Sequence, residues 1–173
     1  MNLSLSHTTK VVRGEITLPS SKSISNRALI IKALSGLPFE IENLSTANDT
    51  QILQQLLADK NRTTFDVGHA GTAMRFLTAY LAIQQGEFIL TGSERMQQRP
   101  IKILVDSLRT IGADITYLKN EGFPPLKIIG KTLSGGEITI DGSVSSQYIS
   151  ALMMIAPYIK NGLKINFEGQ VAS

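Results

Sequence analysis

Four short stretches of this chain carry side chains suited to holding an anion, and each stands where a helix pattern begins. In "PSSKSISNR", Lys22 and Ser23 open the pattern and Arg27 follows one turn later. Lysine offers a phosphate or carboxylate a compact charge, and arginine offers a planar fork. In "GHAGTAMR", Gly68 and Gly71 flank a tight turn that also holds His69, Thr72 and Arg75. Residues without a Cβ let backbone N–H groups close on an anion. In "SERMQQRPIKIL", Arg95 and Arg99 precede a helix predicted to start near Pro100. Two cations at the positive end of a helix are unfavourable alone, and an anion between them relieves the repulsion. In "GSVSSQYISALMM", Ser143, Ser145, Ser146 and Gln147 bring hydroxyls and an amide suited to hydroxyl or phosphate recognition.

Each stretch also has a plainer reading. Serine is a preferred helix cap, glycine turns are common, and Lys22, Arg27 and Arg75 could be solvated or bracing. Met153 and Met154 read as core. His69 reads as a polar turn residue or ligand contact, because no partner ligands cluster near it in sequence. What separates the stretches from background is repetition. A β-like run, a small polar or glycine turn and an amphipathic helix follow one another at 15–34, 65–81 and 137–156, with a hydroxyl residue (Ser23, Thr72, Ser146) at each helix mouth. A helix's first turn leaves four N–H groups unpaired and carries partial positive charge. Three such mouths brought together by symmetry would form one anion site.

The elements that must position these mouths follow from apolar spacing and stop signals. Strands are predicted at 11–18, 39–44, 65–67, 87–91, 113–118, 126–129, 137–140 and 163–167. Helices are predicted from Ser23 to Leu34 with Ile24, Ala28, Ile31 and Leu34 inward, and from Asn48 or Asp49 as cap with Ile52, Leu53, Leu56 and Leu57 inward. Further helices span 71–83, 100–112 (Ile101, Leu104, Val105 and Leu108 inward) and 145–158. The implied unit is strand, helix, strand, helix and a two-strand hairpin. The first copy has no room for its hairpin between Lys60 and Gly68, and the third stops after its second strand. The chain therefore reads as one incomplete domain of a longer protein.

Composition narrows the function. With 42% hydrophobic and 18% charged residues the chain can build an ordinary core. The net charge of +3 is spread without basic runs, and aromatics are scarce at 6%, so nucleic-acid binding is disfavoured and a small anionic substrate suffices. Absent cysteines exclude thiolate chemistry, and two histidines, His7 and His69, make a histidine metal cluster an unexpected feature. No glycines precede Lys22 as a P-loop requires, and no serine has a histidine–carboxylate pair in view. No signal peptide or membrane-length run is present, so the expectation is a cytoplasmic protein without a membrane partner.

Taken together and in this order, "LPSSKSISNRAL", "GHAGTAMRFL", "ERMQQRPI" and "GSVSSQYISALMM" resemble the 5-enolpyruvylshikimate-3-phosphate synthase family, over residues 11–173. The resemblance implies an α/β (α+β type) fold of repeated βαβαββ units, forming one domain of the inverse α/β barrel-like enolpyruvyl transferase fold, with the third unit truncated. It implies residues 1–173 as one substrate-binding domain, residues 1–14 associated with a second, C-terminal domain, and that domain as a partner supplying the proton-transfer carboxylates. The implied reaction joins phosphoenolpyruvate to the 5-hydroxyl of shikimate 3-phosphate and releases phosphate, with no cofactor and no metal. By position, Lys22 matches a lysine touching both substrates. Ser23, Arg27, Ser145, Ser146 and Gln147 match shikimate 3-phosphate ligands, Gln147 also reaching the phosphoenolpyruvate side. Gly71, in the turn with Thr72, matches a backbone donor, Arg99 a phosphoenolpyruvate grip, and Ser173 a further phosphate-binding serine. His69 departs from the family's asparagine, and the first-unit hairpin that many members carry is missing. Two alternatives stand beside this reading: a UDP-N-acetylglucosamine enolpyruvyl transferase-like domain, against which the serine–glutamine run argues, and a non-catalytic anion-binding module.

Overall fold

The computed structural model describes residues 3, 4, 6, 8–11 and 13–170. The second repeat forms completely. Its order is β1 (Thr64–Asp66), α3 (Gly71–Ala82), β2 (Gly86–Thr91), α4 (Lys102–Thr110), β3 (Asp114–Tyr117) and β4 (Leu126–Gly130), which is the expected βαβαββ unit. Its strands build one sheet in the order β1-β2-β4-β3. β1 and β2 run parallel with Phe65 opposite Leu90, while β4 is antiparallel to both β2 and β3. The third repeat gives β5 (Gly136–Asp141), α5 (Ser146–Ile155) and β6 (Leu163–Glu168), with β5 and β6 parallel. The first contributes α1 (Lys22–Ser35) and α2 (Asn48–Ala58).

Helix α3 is the axis of the domain. Every residue from Gly71 to Ala82 except Tyr80 is buried, which is why its sequence is apolar nearly all round rather than along one stripe. It packs against α1, α2, α4 and α5 and against β2 and β4. Helix α4 behaves as its periodicity requires, with Ile101, Leu104, Val105 and Leu108 all buried.

Three expectations fail for identifiable reasons. No strand forms at 39–44, nor among the described residues of 11–18. A strand exists only by pairing, and Ile16 and Leu18 remain 82% and 81% exposed. The inward face of α1 is Ser25, Asn26, Leu29 and Ile30, whereas Ile24 and Ile31 are 70% and 51% exposed. Two polar ties to the α2 region select that face: Thr50 Oγ1 donates to Asn26 Oδ1 at 2.8 Å, and the Ser45 N–H donates to Ser25 Oγ at 2.9 Å. Met153, expected in the core, is 61% exposed. Helix boundaries also move. Ser21, not Ser23, caps α1, its Oγ accepting the Ile24 N–H at 3.3 Å. Ala47 caps α2 without a side-chain bond, because Asp49 is engaged elsewhere, and α4 starts at Lys102 instead of Pro100.

Among the glycines that permit close approach, one holds the sheet against a helix. Gly130 ends β4 against the last turn of α3, where an added Cβ would collide with the carbonyl oxygens of Gln84 and Leu81. Neither obstacle is a flexible side-chain tip, so the sheet or the helix must move. Gly130→Ala is expected to cost about 2–4 kcal/mol in chemical denaturation, and Gly14→Ala, in open space, less than about 0.5 kcal/mol. Equal midpoints for the two variants would refute this close packing.

Candidate active site

Helices α1, α3 and α5 lie parallel with their N-termini at one end. One turn into α1, Arg27 Nη2 donates to Ser150 Oγ of α5 at 2.8 Å, and the same guanidinium sits 5.4 Å from the ring centroid of Phe76 in α3. Each of these three residues stands one turn beyond its helix's mouth hydroxyl. At the far end, the last turns of α1 and α3 line one groove and the last turns of α1 and α5 another. Above the Arg27 level, Gln147 Nε2 donates to Thr72 Oγ1 at 3.1 Å, joining the mouths of α5 and α3 directly.

None of the three helices carries an acidic residue in its first turn, whereas α2 carries Asp49. Helix dipoles normally favour acids there, so three acid-free first turns leave the positive ends unneutralised and open to an external anion. Caps come from the preceding residues: Ser145 Oγ accepts the Gln147 N–H at 3.4 Å, as Ser21 does for α1. Ser23 and Ser146 are thereby freed from capping, while α3 has Ala70 at its N-cap and no side-chain cap bond. Arg27 Nη1 folds back on Ser23, donating to its carbonyl oxygen at 3.0 Å and to its hydroxyl. Lys22 is the first residue of α1 and pairs with Asp49 Oδ2 at 3.3 Å, half exposed at the edge of the mouth.

A second cluster of cations surrounds Gly71. A Cβ there would run into the Arg99 guanidinium and would approach Arg75 Nη1 to 3.1 Å, so glycine is what admits both arginines. Arg75 is buried and donates to the Gly71 carbonyl at 2.7 Å, with its guanidinium 5.3 Å from the Tyr148 ring centroid. Burial pushes it below the ordinary arginine range, Tyr148 opposes this, and the neighbouring Arg99 charge lowers it further. Its Nε is buried without a hydrogen-bond partner among the described residues. Tyr148 in turn donates its hydroxyl to the Pro100 carbonyl at 2.8 Å, fixing the segment that presents Arg99. Arg75 therefore braces the turn rather than facing outward.

The predicted residues thus divide. Ser23, Arg27, Gly71, Thr72, Arg99, Ser145, Ser146 and Gln147 gather at the helix mouths, with Lys22 at their edge. His69 lies exposed at the lip, its Nδ1 2.8 Å from Ser93 Oγ. Arg95 and Arg99 bracket the 3-10 turn Met96–Gln98 instead of standing together at the start of α4, so the proposed repulsion at that helix end does not arise. The Ser143 N–H bonds Asp141 Oδ1 at 2.8 Å and helps hold that carboxyl below the ordinary range, which assigns Ser143 to a turn. Ser173 lies outside the described residues. Tyr148 and Ser150 were missed. Ser150 had a signal, since it follows Ser146 by the same interval as Arg27 follows Ser23. Among the described residues no three His, Asp or Glu side chains group as a metal site, and no helix is long and apolar enough to cross a membrane.

Comparison with known proteins identifies the family. The sequence profile for EPSP synthase (3-phosphoshikimate 1-carboxyvinyltransferase) matches residues 7–63 and 52–173. A 3-phosphoshikimate 1-carboxyvinyltransferase of Bacteroides fragilis strain YCH46 is 56% identical over 162 residues, 94% of this chain and 39% of the relative. One from Photobacterium damsela subsp. piscicida is 45% identical over 188 residues, 94% of this chain and 44% of the relative. The chain therefore spans about two fifths of the length of these curated relatives. The solved EPSP synthase from Acinetobacter baumannii superposes with a TM-score of 0.80 at 20% identity, covering 92% of this chain and 42% of that one, which shows a shared fold. With its βαβαββ unit and its profile match over nearly the whole length, this chain belongs to the EPSP synthase (3-phosphoshikimate 1-carboxyvinyltransferase) family.

Proposed function

We propose that this chain forms one wall of an active site that transfers the enolpyruvyl group of phosphoenolpyruvate to the 5-hydroxyl of shikimate 3-phosphate. The observation that carries this reading is the set of three parallel, acid-free helix mouths tied by the Gln147–Thr72 and Arg27–Ser150 bonds. Shikimate 3-phosphate lies over these mouths. Ser23, Arg27, Ser145 and Ser146 meet its phosphate and hydroxyls, and Gln147 spans it and the second substrate. Phosphoenolpyruvate lies toward Arg99 and the Gly71 N–H, with Thr72 and His69 at its margin and Lys22 between the two anions.

The chemistry balances as addition followed by elimination. The 5-hydroxyl oxygen bonds the enol carbon while the methylene gains a proton, and the hydroxyl proton leaves to a base. The tetrahedral adduct then loses a proton from the new methyl group and expels inorganic phosphate, restoring the double bond. The cationic wall stabilises the phosphates and orients the two reactants. Asp49, the acid in the first turn of α2, is paired to Lys22. The proton-transfer carboxylates therefore come from a second domain facing this wall, outside these 173 residues. General acid–base groups contribute roughly a hundred to ten-thousand-fold, so this chain alone binds without turning over.

Calorimetry should detect shikimate 3-phosphate binding that weakens with salt and exceeds that of UDP-N-acetylglucosamine. Arg27→Ala should lower the affinity about tenfold or more, the loss of a charge-assisted contact. Preference for the nucleotide sugar, or phosphate release from both substrates by the isolated chain, would overturn the assignment. Gly71→Ala isolates the second subsite. Because the colliding Arg99 side chain can swing away, stability should change by less than about 1 kcal/mol. Phosphoenolpyruvate affinity in the presence of shikimate 3-phosphate should nevertheless fall roughly fivefold. Unchanged affinity would remove Gly71 and Arg99 from the site.

A further inference from the structure

One sizeable cavity lies away from the helix mouths. It is a groove of about 710 Å³ at the opposite, C-terminal ends of α1 and α3, also bounded by α2, β1 and β2. Helix α1 has 14 residues, so the groove lies about 20 Å from the mouths and does not depend on the proposed reaction.

Its origin is visible by comparing two repeats of the same chain. In the second repeat, the hairpin of β3 and β4 follows α4 and buries Ile115, Leu126 and Ile128 in the core. In the first repeat, α2 ends at Ala58 and only residues 59–63 precede β1. The family profile breaks into two matches that overlap at 52–63, where that hairpin would stand. The same 94% of this chain spreads over 188 aligned residues in the Photobacterium relative but 162 in the Bacteroides one, so the longer relative carries residues absent here. Without the hairpin, the flank of the first repeat is left uncovered.

The lining is chemically specific. The floor is apolar, from Leu29, Leu56, Leu81 and the edge-to-face pair Phe65–Phe88, whose centroids are 6.0 Å apart. The rim carries Lys32, Lys60 and Arg62 against a single acid, Asp59. Arg62 reaches Asp59 only at 3.8 Å, and its Nε is buried with no hydrogen-bond partner among the described residues. A buried donor of that kind costs free energy until an acceptor arrives. We propose that this groove is a second ligand site, binding a small amphipathic carboxylate with its flat apolar body on the aromatic floor and its carboxylate on Arg62 and the rim lysines. A groove of this size suits a small organic ligand, and a singly charged planar group fits the guanidinium fork. A phosphate dianion over the same apolar floor would pay a larger desolvation cost.

The test is an NMR titration of the full 173-residue chain with 2-naphthoate and with its neutral isostere 2-naphthamide. Shift changes are expected at the Phe65, Tyr80 and Phe88 rings and at Arg62 Nε–H, with the carboxylate binding roughly fivefold tighter than the amide. Arg62→Gln should bring the carboxylate down to the affinity of the amide, and Ala33→Leu, which narrows the groove, should weaken both. Equal affinities, an unaffected Arg62→Gln, no groove shifts in the millimolar range, or shifts confined to 22–23, 71–72 and 145–147 would each overturn the proposal. So would groove shifts that depend on protein concentration without ligand, which would make a second copy of the chain the occupant. Shikimate 3-phosphate binding should be the same in Arg62→Gln, which separates this site from the helix mouths.

Discussion

Parallel helices that begin at one level place like partial charges side by side, and in this domain three do so. Each positive end repels the others, and Lys22, Arg27, Arg75 and Arg99 add full charges to the same region. An exposed charge near a helix end is worth typically 0.3–1 kcal/mol, so the combined penalty is not negligible for a small domain. What holds the arrangement is the burial of α3 on nearly all sides, together with the Gln147–Thr72 and Arg27–Ser150 bonds that fix the helices in register. Stability and binding therefore draw on opposite features of one bundle. The apolar body of α3 enforces a geometry whose positive end suits an anion.

Arg75 illustrates the same constraint at one residue. A buried guanidinium beside another arginine is costly, and here it has a ring beneath it, a carbonyl on one nitrogen and an orphaned Nε. Its partners explain its place. Gly71 and Tyr148 are both within its reach, and Tyr148 anchors Pro100, so one side chain couples the α3 turn, the α5 first turn and the segment carrying Arg99. Three separate places along the chain thereby share one brace.

What was legible in the sequence was local. Helix mouths, strand–helix alternation and the β3–β4 hairpin follow from turn chemistry and spacing, and they appeared close to where they were expected. The α1 face was only partly legible: Leu34 packs on the core as its spacing suggests, but Ile24 and Ile31 are exposed while Leu29 and Ile30 are joined inside by Ser25 and Asn26. Only their partners Ser45 and Thr50, some twenty residues away, make polar residues acceptable inside. A strand at 39–44, and one among the described residues of 11–18, failed for a related reason: alternation describes a strand's faces but not its neighbour. The brace made by Arg75 and Tyr148 was equally invisible, since neither residue type announces which carbonyl it will meet.

The absence of free acids from the mouths bears on how the proposed reaction must be organised. A carboxylate placed among these cations would pair with one of them, as Asp49 does with Lys22, and would offset its partner's charge; a close cation in general also favours the ionised form of a carboxylate. Such a group makes a poor proton donor and leaves the phosphate site weaker. Separating the two tasks avoids both losses: one wall stays cationic and binds, and carboxylates tuned for proton transfer approach from across a cleft. Under the proposed function, closure of such a cleft would bring acid and base to substrates already oriented by this wall. On this reading, turnover requires two walls because one surface cannot be both the counter-charge of two anionic substrates and the source of their protons.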